Sequence, residues 1–322
     1  MSSYPWLDKI YKIIIQDYYK FNNCRSIIIK SAKNIGENQL IFSICKKILC
    51  LNSYKFNFCN ICKSCLLIKN KNHPDLHILK KKKSSIGIDR TLKYIQKIIF
   101  TPKCSNFKIL WVPEMNFLTE SAISVFLKIL ENPPKNTWFF FNQNYSDFIK
   151  LTFKSRCFTY YIYPPNTKNS IDWFKKKKLN KKYNKEFLLS LKISENSPIQ
   201  AKKFLNSSNF YKRKKFFKKI YLSIQKNNFI TLISEFKKNK KKKIFWLCLI
   251  ILDSIKSKLN KKIKLINFDQ LNLIKLLKKK YSKKKLFLFI KYLNKTQFYI
   301  KNIKGIDKTF TILTILSILE KL

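Results

Sequence analysis

Three short apolar runs, set apart by segments of helical period, constrain this chain more than any other feature. Ser26-Ile27-Ile28-Ile29-Lys30, Phe107-Lys108-Ile109-Leu110-Trp111-Val112 and Thr137 to Phe141 are nearly continuous in β-branched and aromatic residues. A strand that is apolar on both faces has to be covered on both, and helices flanking a parallel sheet do this. The intervening segments supply them. Leu7, Ile10, Tyr11, Ile14 and Tyr18 share a face over Trp6–Tyr19, and Gln39–Leu49 returns to the same period. Thr119–Leu130 turns Ala122, Val125, Phe126, Ile129 and Leu130 inward. The expectation is a parallel α/β domain over residues 1–165.

Tyr163-Pro164-Pro165 breaks the pattern and marks the first boundary. Residues 166–210 read as a small helical unit and 211–322 as helix after helix. The runs Lys240–Lys243, Lys278–Lys280 and Lys283–Lys285 are expected as solvated faces or loops. Thr309–Leu322 would form a closing helix with Phe310, Leu313, Leu316 and Leu319 along one side. The longest apolar run, Ile244–Leu252, is far short of the ~20 residues that cross a bilayer. Met1-Ser2-Ser3-Tyr4-Pro5-Trp6 has no basic stretch ahead of an apolar one, as a secretory signal would. A cytoplasmic protein with no membrane contact is expected.

The formal charge of +51, from 68 Lys+Arg against 17 Asp+Glu, would by itself point to nucleic acid. Yet only Arg25, Arg90, Arg156 and Arg213 are arginines, and there are 3 glycines where ordinary usage of ~7% would give about 22. The residues in excess, Lys, Asn, Ile, Phe and Tyr, are those of A/T-rich codons, so compositional bias accounts for much of the charge. Against that background Gly36, Arg25 and Arg156 stand out. Arg25 precedes the first strand and receives no assignment.

Four of the 9 cysteines, Cys50, Cys59, Cys62 and Cys65, are spaced C-x8-C-x2-C-x2-C. Tight C-x2-C pairs bring thiolates to one tetrahedral ion at ~2.3 Å, and four thiolates leave no open position for a substrate water. A structural Zn2+ in a module over 50–65 is therefore expected, in preference to disulfides or a redox pair. His73 lies nearby in His73-Pro74-Asp75, outside an already complete shell.

The loop after the first strand, Ser31 to Asn38, sits where a phosphate-binding loop would, between a strand and a helix. Such a loop needs G-x4-G-K-[ST]. With Gly36 as the second glycine, Glu37 stands at the lysine position and Asn38 at the Mg2+-binding hydroxyl, while Lys33 falls on the wrong side to substitute. The second strand ends Trp111-Val112-Pro113-Glu114, with Pro113 in place of the metal-binding carboxylate. Both halves of the site are degenerate, and no bound ATP is expected.

Together these stretches resemble the delta-prime family of bacterial DNA polymerase III clamp-loader subunits, relatives of the AAA+ ATPases. The resemblance runs through Tyr4-Pro5-Trp6-Leu7, the four cysteines, His73-Pro74-Asp75, Ile86-Gly87-Ile88-Asp89-Arg90 and Lys108 to Val112. It continues through Ala122 to Pro134, which is similar to a helix ending in L-E-E-P-P with Asn132 in place of the second Glu, then Thr137-Trp138-Phe139-Phe140 and Ser155-Arg156-Cys157. Beyond residue 165 it continues only in Leu191 to Pro198 with Ala201. It implies an AAA+-type α/β domain with a parallel sheet, then a small helical lid-like domain and an all-α collar. It also implies a non-hydrolysing subunit in a ring with ATPase subunits and a clamp-opening subunit. That ring would meet the sliding clamp, contacted by this chain indirectly, and primed DNA. Arg156, with Ser155 and Cys157 beside it, would act in trans as an arginine finger, placing a fork-shaped permanent cation at a neighbour's γ-phosphate. The competing readings are a stand-alone zinc-containing DNA-binding protein and an active AAA+ ATPase. The first predicts tight, steeply salt-dependent DNA binding by the lone chain, and the second predicts ATP binding.

Overall fold

The computed structural model describes residues 4–20, 26–81, 85–145, 147, 150–176, 184–229, 231–236, 239–260, 263–302, 314 and 317. The chain divides into two compact units, Met1–Trp173 and Phe174–Leu322.

In the first unit a single turn at Pro5–Leu7 leads into α1 (Asp8–Lys20). There follow β1 (Ser26–Ser31), α2 (Glu37–Leu49), α3 (Lys63–Lys69), β2 (Leu76–Ile78), α4 (Ile88–Ile99) and β3 (Lys108–Val112). The unit continues with α5 (Glu120–Glu131), β4 (Thr137–Asn144), α6 (Leu151–Lys154), β5 (Phe158–Ile162) and α7 (Thr167–Lys176), whose last residues cross the division. The five strands form one sheet in the order β2-β3-β4-β1-β5, and every pairing is parallel. The three runs that stand out in the sequence are its centre.

Period-two alternation sends successive residues of each strand to opposite faces. Ile27, Ile29, Ile109, Trp111, Trp138 and Phe140 pack with Ile14 and Ile15 of α1 and Leu40, Ile41 and Ile44 of α2. On the other face Ile28, Leu110, Val112, Phe139 and Phe141 meet Ile98, Ala122, Phe126, Leu130 and Phe153. Phe141 lies edge-on to Phe126 at 5.3 Å and to Phe153 at 5.0 Å. Each fully buried side chain of this size contributes roughly 1.5–3 kcal/mol, so the continuous apolar runs are sufficient to fix a covered sheet. Thr119 starts α5 one residue before its first helical turn, its hydroxyl accepting from the Ala122 N–H at 3.3 Å.

Two strands escape the sequence reading. β2 has three half-buried residues, and β5 is an edge strand whose Phe158 is exposed and whose Ile162 is buried, so neither presents an apolar run. β4 also outlasts its expected end at Phe141 by three polar residues, Asn142, Gln143 and Asn144, the first two buried.

The second unit is helical among its described residues. Its helices are α8 (Asn184–Ile193), α9 (Pro198–Asn206), α10 (Asn209–Gln225), α11 (Thr231–Phe236), α12 (Lys240–Leu259), α13 (Leu271–Lys280) and α14 (Lys283–Asn302). Their core gathers Phe216, Phe217, Ile244, Leu247, Ile251, Leu273, Leu277 and Phe289. Arg213 is fully buried there and forks onto the Asp269 carboxylate at 2.8 and 3.1 Å and onto Asn267 Oδ1 at 2.6 Å. Removing one partner of such a buried pair costs roughly 3–5 kcal/mol. The lysine runs are mostly solvated helix faces and not loops: they open α12, close α13 and open α14, with Lys243 buried against Glu235 at 3.0 Å. The expected closing helix over Thr309–Leu322 lies outside the described residues except for Thr314 and Ser317, both helical, and Arg25 lies outside them altogether. Among the described residues no helix is long and apolar enough to cross a membrane.

Candidate functional site

The spacing of the four cysteines acts through local backbone geometry. Cys50 closes α2, Cys62 is the N-cap of α3 and Cys65 lies in its first turn. Between them Asn60 adopts a left-handed φ of 63°, folding Cys59-Asn60-Ile61-Cys62 into a tight knuckle. The four Sγ atoms lie within 4.8 Å of one another, with Cys50–Cys59 at 3.5 Å and Cys50–Cys62 and Cys59–Cys65 at 4.0 Å. A tetrahedral Zn2+ with bonds of ~2.3 Å needs sulfur–sulfur edges of about 3.8 Å, whereas a disulfide needs about 2.05 Å. The sulfurs also collect backbone N–H groups. Cys59 N–H donates to Cys50 Sγ at 3.4 Å, Cys62 N–H to Cys59 Sγ at 3.3 Å and Cys65 N–H to Cys62 Sγ at 3.5 Å. The donors from Cys62 and Ile61 lower the Cys59 thiol to about 6. The donor set, spacing and hydrogen bonding fit a closed metal site, and the cluster can hold one ion.

His73, outside the sulfur cluster as expected, braces it. Its Nδ1 accepts from the Asp75 N–H at 3.1 Å, which leaves the proton on Nε2 to donate to Ser64 Oγ at 2.9 Å. Ser64 Oγ in turn donates to Leu49 O at 2.6 Å. Ser64 and Leu49 are the chain neighbours of Cys65 and Cys50, so one imidazole ties both shoulders of the cluster. Burial lowers the His73 pKa and keeps the ring neutral. From α1, Tyr11 and Tyr19 donate to the carbonyls of Phe56 and Lys55, both at 2.7 Å, and fasten the loop between Cys50 and Cys59.

At the carboxyl ends of β1, β3 and β4 lies a cleft of about 330 Å³, lined among others by Lys33, Glu37, Asn38, Lys81, Glu114 and Gln143. Gly36 turns the loop with φ 109°, a conformation that glycine adopts readily. The Glu37 carboxylate folds back into that loop, where one oxygen accepts from the N–H groups of Ile35 and Gly36, both at 3.0 Å. In a phosphate-binding loop such N–H groups face the anion. Here they face the chain's own carboxylate. Asn38 Oδ1 accepts from Asn142 Nδ2 at 2.8 Å, and Asn142 Oδ1 accepts from Trp111 Nε1 at 3.0 Å, tying α2 to β4 and β3. Glu114, after Pro113, pairs with Lys81 at 3.3 Å. Lys33, read as lying on the wrong side of the loop to substitute for the missing lysine, is among the residues lining the cleft.

Arg156 sits in the turn between α6 and β5. One Nη donates to Thr152 O at 2.8 Å and the other pairs with the Glu131 carboxylate at the end of α5. Its side chain is 31% exposed. Ser155 Oγ donates to Thr152 O at 3.0 Å, and burial pushes the Cys157 thiol up to about 12, so it stays protonated at neutral pH.

Over its full length the chain is 38% identical to the DNA polymerase III subunit delta-prime of Buchnera aphidicola subsp. Schizaphis graminum, 98% of which it covers. The chain belongs to the delta-prime subunit family of DNA polymerase III. The delta-prime subunit of Escherichia coli strain K12 is 24% identical over 80% of this chain and 77% of its own. Family models described as DNA polymerase III, delta subunit, and DNA polymerase III, delta subunit, C terminal, match residues 7–166 and 207–321. A crystal structure of a DNA polymerase III gamma subunit-related protein from Thermotoga maritima shares the fold, with a TM-score of 0.51 at 19% identity over 97% of this chain and 98% of that one. The sheet of this delta-prime family member is thus of the AAA+ type, followed by helical structure.

The sequence reading of the delta-prime chain missed the anchoring roles of Asn142 and His73. Asn142 gave no signal, because a polar residue after an apolar run reads as the end of a strand. His73 was visible beside Asp75, but its hydrogen-bonded path to Ser64 and Leu49 appears only in three dimensions.

Proposed function

We propose that this chain is a non-hydrolysing subunit of a clamp loader, acting as a scaffold of the ring and donor of an arginine finger to a neighbouring ATPase subunit. Membership of the delta-prime family supports the setting. The observation that carries the non-hydrolysing part is the Glu37 carboxylate on the Ile35 and Gly36 N–H groups. The remaining parts of a nucleotide site agree with it: Asn38 and Asn142 bond each other, and Glu114 is paired with Lys81 behind Pro113. In this reading Cys50, Cys59, Cys62 and Cys65 hold a structural Zn2+, which cross-links α2 to α3 and supplies no chemistry to a substrate. Residues 166–210 serve as a small lid-like domain and 211–322 as the collar through which subunits associate. The ATPase subunits and the clamp-opening subunit are its direct partners, in the cytoplasm. The sliding clamp is reached indirectly and primed DNA through the assembled complex.

Arg156 would exchange the Glu131 carboxylate for a neighbour's γ-phosphate, trading one anionic acceptor for a more highly charged one. The test is ATP hydrolysis by the reconstituted loader, stimulated by clamp and primed DNA, with native chain and Arg156→Ala. Loss of a finger lowers hydrolysis at a single site by up to ~10³–10⁵-fold. The fall in the whole ring is smaller, since other sites keep their own fingers. Unchanged hydrolysis and clamp loading by an intact complex would refute the finger.

A further inference from the structure

Three tyrosines stand together at the β5 edge of the sheet. In the parallel register Gln143, Lys30 and Tyr161 occupy one rung, and residues on one rung project from the same face. Tyr145 and Tyr163 each follow two residues later, one rung further along that face. The Tyr145 and Tyr163 rings lie 6.0 Å apart at 24°, and Tyr161 and Tyr163 lie 6.3 Å apart at 13°. Tyr163 is thus stacked with both of its neighbours, and it is 70% and Tyr161 37% exposed. Tyr145 is fixed from beneath, its hydroxyl donating to Ile162 O at 2.6 Å and its N–H to Ser31 O at 3.1 Å.

Lys30 shares the rung of Tyr161 and so supplies a cation on the face of the rings. Of the basic residues close in sequence, Lys150 and Arg156 are paired with Glu120 and Glu131, and the Asp147 carboxylate accepts from Asn144 Nδ2 at 2.9 Å. Flat rings with polar tips, exposed at the end of an edge strand, match nucleobases better than a protein side chain. Bases stack on such rings whatever their identity, and cations beside the rings meet the phosphates.

We propose that Tyr161 and Tyr163, braced by Tyr145 and flanked by Lys30, form a stacking platform for unpaired nucleotides of a single-stranded nucleic acid. This goes beyond the clamp-loader reading, in which the chain reaches DNA only through the assembled ring, and it does not depend on Arg156. A highly basic chain also binds phosphates non-specifically, so the measurement has to separate bases from charge. The full-length chain is titrated with a fluorescent oligothymidylate and with an abasic strand of equal length. The native chain is expected to prefer the base-bearing strand. Tyr161→Ala and Tyr163→Ala should each lower affinity for it by about 5- to 150-fold, the range of one lost base–aromatic stack. Binding of the abasic strand should not change, and Phe at either position should restore the preference. Lys30→Gln should weaken both strands alike. An oligoribouridylate of the same length shows whether the strand taken is DNA or RNA, and a preference for bases in either supports the platform. Equal affinity of the native chain for base-bearing and abasic strands overturns the proposal. So does a preference that survives both alanine substitutions. If base preference is absent and the same substitutions instead prevent assembly with the ATPase subunits, the face is a subunit contact and not a nucleic-acid site.

Discussion

The cysteine cluster and the cleft beside Glu37 are built by the same device with opposite results. In each, a short loop entering a helix points backbone N–H groups at a side chain able to carry negative charge. At the cluster the Cys59, Cys62 and Cys65 N–H groups donate to the sulfurs of Cys50, Cys59 and Cys62, and the sulfurs remain turned towards one shared centre. At the cleft the Ile35 and Gly36 N–H groups stabilise a carboxylate that belongs to the loop itself, so these two donors are already taken. Donor geometry alone therefore does not make a site. What matters is whether the anion it favours can bind something further.

The largest expected effect comes from removing a ligand at the first of these. Purified chain should contain one zinc ion, measured by elemental analysis, and Cys62→Ser should release it. The loss of stability should be a sizeable share of the ~10–16 kcal/mol that structural zinc contributes in zinc-finger peptides, because the rest of the sheet still folds around the module. It should far exceed the ~1 kcal/mol of a single hydrogen bond. Chelation of the native chain should lower the melting temperature to that of the variant. A chain that holds no metal, or melts identically with chelator, would mean that the sulfurs converge without a partner, and the contrast with the cleft would disappear.

The two sites were not equally legible in the sequence. The cluster was readable because its ligands are adjacent in sequence and of one rare chemical type, so spacing predicted geometry. The cleft was readable only as a loss: Glu37, Asn38 and Pro113 announced what was missing, while the hydrogen bonds that replaced it depend on side chains distant along the chain. Asn38 and Asn142 are partners across the sheet, and no period or motif links them. The same limit explains the fold. β1, β3 and β4 were legible because both faces are buried, whereas β2 and β5, short or at the edge, hold their place through backbone pairing that composition does not encode.

A third anion tests whether backbone donors matter in themselves. The Asp75 carboxylate accepts from the N–H groups of Lys103, Cys104 and Ser105 at 2.7, 2.8 and 3.0 Å and from Ser105 Oγ at 3.0 Å. Burial pushes its pKa up, but these donors together outweigh burial and hold it below the usual carboxylate range. Hydrogen bonds to a charged group contribute about 1.5–3 kcal/mol each, and Asn keeps one acceptor oxygen, so Asp75→Asn should cost about 2–3 kcal/mol at neutral pH. With a lowered folded pKa, the advantage of Asp is complete above the unfolded value of about 3.9 and is lost as pH falls through the folded value. Denaturant unfolding of both proteins should therefore show a gap that is constant from neutral pH down to about pH 5 and shrinks below pH 4. A gap independent of pH would mean that Asp75 acts through packing.

Glu37→Ala should have the smallest effect and is the most discriminating. It removes an acceptor from two N–H groups that water can then reach, and it removes a negative charge from the first turn of α2, where the helix dipole favours one. A cost of about 1 kcal/mol follows, or a fall of roughly 2–4 °C in melting temperature. The variant frees the loop N–H groups without restoring a cleft lysine in the usual place, a hydroxyl for Mg2+ at Asn38 or a carboxylate at Pro113. Thermal-shift titration with Mg-ATP should therefore find no tight binding. Tight binding by Glu37→Ala would show that one carboxylate blocks an otherwise competent site, and that the cleft, like the cysteine cluster, is still built to hold a ligand. Absence of binding together with the small loss of stability would show that the carboxylate completes a loop whose other ligand-binding parts have already gone.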